Sequence, residues 1–306
     1  MFISNRAVVR PSHGSHTEPR AWKLGLRAGT ATFAAGVLAV LGLAAPAQAA
    51  DHIVIGATGD WAGLQSHVGT PIAHHTYGRL NGPTQVSDLV NIETTADWSQ
   101  VASGGQDANI KRWANALKGH NVWVSFSHEP MSKYNSHWGT ASSFVAAWKH
   151  VVSVFNSSGA TDVTWVWNVT SDSFRVKTSS PQYGAKWYPG DSYVDYVAGE
   201  AYDHVDCGQT NVSFADKIKD IFAFANQHHK KFVTAEFASN AFSGRPAWIT
   251  AAQQFMAAHR SQFAGAFYYN PTSGPGTQRT TCHWHLSTSG DYSAIRKLVT
   301  SSGFAG

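Results

Sequence analysis

Short apolar runs recur along the chain: HIVIGA at 52–57, IAHHTY at 72–77, LVNIE at 89–93, NVWVSFS at 121–127, DVTWVWN at 162–168, YVDYVAGEAY at 193–202, KFVTAEF at 231–237 and FAGAFYYN at 263–270. Helical patterns or loops rich in Gly, Asn and Ser separate them, as in βα units around a parallel sheet. DANIKRWANALK, ASSFVAAWKHVVSVFNSS, FADKIKDIFAFANQHH, PAWITAAQQFMAAHR and YSAIRKLVTSS read as amphipathic helices. The second ends in Ser-Ser-Gly and the fourth opens on Pro246, residues common at helix ends. Eight strand-like runs alternating with helices in one domain predict an α/β chain closed into a (β/α)8 TIM barrel. The open doubly wound alternative is disfavoured, because no Gly-x-Gly-x-x-Gly follows the first strand.

The first 49 residues stand apart. Arg6, Arg10, Arg20, Lys23 and Arg27 precede the apolar run AGTATFAAGVLAVLGLAA, and Pro46-Ala47-Gln48-Ala49-Ala50 follows it. A charged region, an apolar region and a small-residue site in this order predict a secretory signal peptide over 1–49, with the catalytic barrel over 50–306. An uncleaved membrane anchor is the bland alternative for an apolar run of this length. Removal of the leader takes five of the 23 basic residues and one of the 19 acidic ones, leaving 18 of each. A mature chain of near-zero net charge gives no footprint for nucleic acid or an anionic membrane, and suits a neutral polymer. A secreted, extracellular monomer is expected, with no stable membrane association after cleavage.

Cys207 and Cys282 are the two cysteines. In an exported chain an even pair predicts one disulfide. One follows the sixth strand and the other the eighth, so the bridge would tie together loops on one face of the barrel. His283-x-His285 beside Cys282 has metal-like spacing, but in a loop without a neighbouring acid it reads as the flank of the bridge, and no metal or other cofactor is expected. His228-His229 closes a helix and reads as structural, whereas His74-His75 either lines a site or caps the barrel.

Catalytic groups of such barrels sit at the C-terminal ends of strands. Glu129 follows the fourth strand and Glu236 closes the seventh, two positions that face each other across the mouth. Retaining cleavage of a glycosidic bond uses two carboxyls about 5–5.5 Å apart, one protonating the leaving oxygen and one attacking the anomeric carbon. Trp61, Trp98, Trp138 and Trp187 fall in predicted loops and are candidates for a sugar-binding cleft, since an aromatic plane matches the apolar face of a pyranose.

The sequence resembles glycoside hydrolase family 26, a clan A family that includes β-mannanases, β-1,3-xylanases and mixed-linkage β-glucanases. The resemblance is carried by His128-Glu129, Trp138-Gly139, the segment WYPGDSYVDYVAGEAYD, AEFAS and FYYNP. It implies Glu129 as acid/base, Glu236 as nucleophile, Tyr202 as hydrogen-bond partner of the nucleophile, His128 as a residue orienting sugar or acid, and Trp138 as a platform beside the cleavage point. Trp187 is the further substrate-binding candidate. The chain departs from the family where Ser125 replaces an Arg before the His, and where Pro130-Met131 replaces Met-Asn after the Glu. These departures fall among sugar-recognition residues, so the resemblance carries the chemistry and leaves the β-linked polysaccharide open among β-mannan, β-1,3-xylan and mixed-linkage β-glucan, with β-mannan as the first guess. A non-catalytic carbohydrate-binding barrel, or another carbohydrate-active enzyme on the same fold, is the alternative.

Overall fold

The computed structural model describes residues 52–272 and 282–306; the predicted signal peptide lies outside them. Eight parallel strands form the barrel: β1 (Ile53–Gly59), β2 (Ala73–Arg79), β3 (Leu89–Glu93), β4 (Trp123–Phe126), β5 (Thr164–Val169), β6 (Tyr196–Asp203), β7 (Lys231–Ser239) and β8 (Phe263–Asn270). Each pairs with its successor, and β1 pairs with both β8 and β2, the latter through Gly56 opposite Ala73, which closes the ring. A two-residue strand, β9 (Phe304–Ala305), adds to the start of β1.

Two apolar layers explain the closure. Inside, Ala73, Leu89, Val166, Ala198, Val233 and Phe267 form one cluster with the half-buried Val54 and Trp123, so every barrel strand contributes a side chain. Outside, the alternate strand residues pack against helices. The helix α4 (Ala141–Ser157) shows how the sequence encodes this layer: Phe144, Ala147, Trp148, Val151 and Phe155 recur at three- and four-residue spacing and are buried. Thr140 and Ser143 form a reciprocal capping box at its start. Gly159, at φ 77°, takes the left-handed turn that ends it.

The remaining helices are α1 (Trp61–Val68), α2 (Trp98–Ala102), α3 (Asp107–Leu117), α5 (Phe214–Gln227), α6 (Arg245–Ala258) and α7 (Ser289–Thr300). Neither α1 nor α2 is expected from the sequence pattern, being one or two turns long. No α-helix follows β2, and short 3-10 turns alone connect β5 to β6. In that stretch Phe174 and Tyr188 pack against Trp167 and Phe224, Tyr183 packs on Phe174, and the rings take the place of a helix.

This packing sets two of the tryptophan candidates deeper than a loop position implies. Trp98 lies on α2, fully buried, and Trp187 is only 4% exposed. Their rings meet edge to face at 5.6 Å, Phe144 lies against both, and the Trp187 indole donates to the Pro181 carbonyl. Both are core residues and neither offers an open ring face; Trp187 reaches only the wall of an outer groove of about 920 Å³ that Met131, Ser136 and Val145 also line.

Candidate active site

The turn after β4 delivers Glu129. Ser127 and Glu129 both have left-handed backbone, at φ 51° and 45°, so the chain reverses sharply at the rim. Non-glycine residues enter this region only when their surroundings hold them there. The Ser127 N–H donates to the Ile92 carbonyl, the Glu129 N–H to that of Asn168, the Trp98 indole to Ser127 Oγ, and the Asn135 amide to the His128 carbonyl. His128 turns its Nδ1 to Glu93 Oε1 at 2.5 Å, at the end of β3, and Tyr77 lies edge-on to its ring.

Electrostatics follow from that arrangement. Burial opposes a charge on His128, but the Glu93 carboxylate and then that of Glu129 raise its pKa to about 9, so the imidazole is a cation at neutral pH. Burial pushes Glu129 up from the ordinary carboxylate range; the His128 cation pulls it down and Glu93 adds to the rise.

Glu236 is set by an irregular stretch of β7. Along β6 the register passes from Gly199 opposite Thr234 directly to Glu200 opposite Glu236, which leaves Ala235 as an extra residue. Along β8 it passes from Thr234 opposite Ala266 to Phe237 opposite Tyr268, again one residue longer on β7. A bulge of this kind re-aims the following side chain, and bulges gather at barrel rims. The Tyr202 hydroxyl donates to Glu236 Oε2. Trp284, Tyr269 and His204 surround the Tyr202 ring at 5.1, 5.7 and 5.9 Å. Burial raises Glu236 to about 8. Burial raises both carboxyls; they differ in partner, a phenol donor for one and a His128 cation for the other.

The other expected residues lie in different settings. Trp138 is half-buried in a 3-10 turn of the loop that begins at Glu129. His74 and His75 part company: His74 stacks on Trp61 outside the sheet at 4.5 Å, and His75 points into the barrel. Cys207 and Cys282 form the expected disulfide, with Cα atoms 5.1 Å apart across a sequence separation of 75 residues.

Two carboxyls escaped the sequence reading. Glu93 closes β3 and Glu200 lies on β6 facing Glu236 in register. Glu200 Oε2 has no protein partner, and burial, with the Glu129 charge, pushes its pKa well up. The rule that picks out Glu129 and Glu236, a polar residue ending an apolar run, also covers Glu93; Glu200 lies inside β6, two residues before Tyr202, where no strand end marks it.

A closed parallel barrel with acidic groups gathered at one rim, and a phenol donating to one of them, is the frame of a glycoside hydrolase. Residues 46–268 match the family model for glycosyl hydrolase family 26, and the chain belongs to that family. It is similar to endoglucanase H of Acetivibrio thermocellus, 27% identical over 216 residues, covering 66% of this chain and 23% of that protein. It is also similar to a β-1,3-xylanase from Vibrio sp, 25% identical over 145 residues, covering 46% of this chain and 29% of the relative. The chain thus matches under a third of the length of either relative. Among solved structures, a family 26 β-mannanase from Bacteroides ovatus superposes with a TM-score of 0.57 at 12% identity, covering 83% of this chain and 90% of the other. At that identity the likeness is one of fold.

Proposed function

We propose that this chain is a secreted, retaining endo-glycosidase of a β-linked polysaccharide, with Glu236 as nucleophile and Glu129 as general acid and base. The observation that carries the assignment is the Tyr202 hydroxyl donating to Glu236, within electrostatic reach of Glu129 and Glu200. A phenol so placed orients one oxygen of the nucleophile and favours its ionised form, leaving the other to attack.

In the first step the Glu236 carboxylate, in the ionised form that the Tyr202 hydroxyl favours, attacks the anomeric carbon, the bond to the leaving oxygen breaks, and that oxygen takes the Glu129 proton. The product is a glycosyl ester of Glu236. In the second step the Glu129 carboxylate takes a proton from water, the resulting hydroxide oxygen bonds the same carbon, and the ester bond breaks to regenerate Glu236. The His128 cation, anchored by Glu93, stabilises Glu129 while it is ionised between the steps. Trp138, on the Glu129 loop, stacks on the sugar beside the cleavage point. Secretion is supported by the disulfide and by the leader pattern; no helix among the described residues is long and apolar enough to cross a membrane.

The relatives found by sequence carry glucanase and xylanase names, whereas mannanases enter through fold alone. Within the expected class, β-glucan and β-xylan therefore stand level with the β-mannan of the first guess. A reducing-sugar screen of the secreted protein on mannan, xylans and mixed-linkage glucan, with affinity gels alongside, decides among them. Product with retained anomeric configuration, followed by NMR of the first sugar released, is the expected result. Inversion would reject the covalent route, and binding without product on every polymer would favour a carbohydrate-binding barrel.

A further inference from the structure

Behind the rim, His75 makes one contact that reaches the nucleophile through the backbone. Its side chain is 1% exposed inside the barrel, and its Nδ1 lies 3.1 Å from the carbonyl oxygen of Ala235, a residue 160 positions further along the chain. Ala235 is the residue that the β6 register leaves without a partner. Its carbonyl belongs to the peptide group that links it to Glu236. The plane of that peptide sets the direction in which the Glu236 side chain leaves the strand, because the peptide is rigid and only the dihedrals beside it can turn.

We propose that His75 is a positioning residue: by donating its Nδ1–H across the barrel to the Ala235 carbonyl, it pins the β7 bulge and so aims Glu236 at the anomeric carbon. The inference rests on Glu236 being the nucleophile. A carbonyl can only accept, so Nδ1 carries the hydrogen and the ring is the Nδ1–H tautomer. Burial, and then the nearby His128 cation, lower the pKa of His75 to about 3, which keeps this ring neutral wherever the enzyme works. Tyr77 and Phe267 wedge the ring at 4.6 and 5.5 Å and fix its orientation. His75 does not line the mouth, so its effect is on chemistry and not on sugar binding. It also gives a buried polar ring a partner, since a buried carbonyl such as that of Ala235 needs a donor.

Side chains of graded geometry test this. Asparagine places its amide nitrogen near the His Nδ1 position, glutamine places it one bond further out, and phenylalanine keeps the ring without a donor. Each variant is assayed with an aryl β-glycoside that the native enzyme cleaves, and the Glu236 ester is trapped with a fluorinated sugar. His75→Phe and His75→Gln should lose about 10²-fold in kcat and in trapping rate, the cost of a misplaced reacting group. Their KM should stay within about twofold of native, the pattern of an interaction used in the transition state alone. His75→Asn should recover most of the loss. If His75→Phe does not fold, the contrast between the Asn and Gln variants still decides. Native kcat in the Phe or Gln variant, or equal impairment in Asn and Gln, overturns the proposal. Glu236→Ala with azide tests the underlying assignment separately: azide should restore turnover to that variant and leave His75→Phe unchanged. An active Glu236→Ala protein without azide would remove the nucleophile reading itself.

Discussion

Around Glu129 the barrel rim is made of charges and sharp bends; around Glu236 it is made of rings, a strand and a covalent bridge. The first half places an ion pair, His128 with Glu93, beside a carboxyl carried on left-handed backbone. The second half keeps its carboxyl within β7, hydrogen-bonded to a phenol that Trp284 and Tyr269 enclose, with the Cys207–Cys282 bridge joining the loops beyond β6 and β8. An acid that must lose and regain its proton in each turnover benefits from a neighbouring charge that adjusts to it. A nucleophile that must attack along one line benefits from rigidity. The two halves should therefore fail in different ways.

Glu236→Gln should fail most completely, with kcat down on the order of 10⁴- to 10⁶-fold whatever the leaving group, as for loss of a covalent catalyst. Glu129→Gln should cost about 10²–10⁴-fold on a polysaccharide. On an aryl glycoside with an activated leaving group, much of that deficit should vanish in the first step, and steady-state assays on both substrates measure the contrast. Equal losses on both substrates would remove the distinction between acid and nucleophile.

Smaller effects separate the two halves by what holds them. A bridge closing about 75 residues stabilises by roughly 4 kcal/mol in the chain-entropy model, so Cys282→Ser should lower the midpoint of thermal unfolding by about 10 °C at every pH. Thiol titration of the denatured, unreduced protein should find no free cysteine. Glu93→Gln should instead destabilise in a pH-dependent way. A histidine raised from 6.5 to about 9 adds stability that is fully present below pH 6.5 and lost as pH climbs through 9. The variant should be weaker than native by about 1.5–3 kcal/mol near pH 6, the worth of a charged hydrogen bond, and the gap should close above pH 9. A deficit that persists at high pH would mean that packing, and not charge, holds the Glu129 half.

The sequence made the regular parts of this molecule legible. Every barrel strand lies within three residues of its apolar run at each end, because strands buried between two layers must be apolar along their length. Glu129, Glu236 and both cysteines were visible as polar or reactive punctuation at strand ends. The burial of Trp98 and Trp187 was not legible, because position in a predicted loop says nothing about whether a neighbouring ring already covers the indole. The sequence pattern places no helix between β5 and β6, and the structure has none: aromatic side chains on irregular chain seal the barrel there as a helix does elsewhere. The bulge at Ala235 left no trace at all: KFVTAEF reads as uninterrupted strand, and only the register of its two neighbours reveals the extra residue.

The left-handed backbone at Ser127 and Glu129 has a consequence for how this enzyme trades durability against activity. Glycine would hold either position without the steric cost that a side chain incurs there, about 1 kcal/mol or more for each residue. At Glu129 the proposed role of the carboxyl as acid and base bars that relief. Glu129→Gly should therefore yield an inactive protein that survives heating better than the active one. Selection for thermal endurance alone would drift toward that substitution, and selection for turnover keeps the chain below the stability its own fold allows.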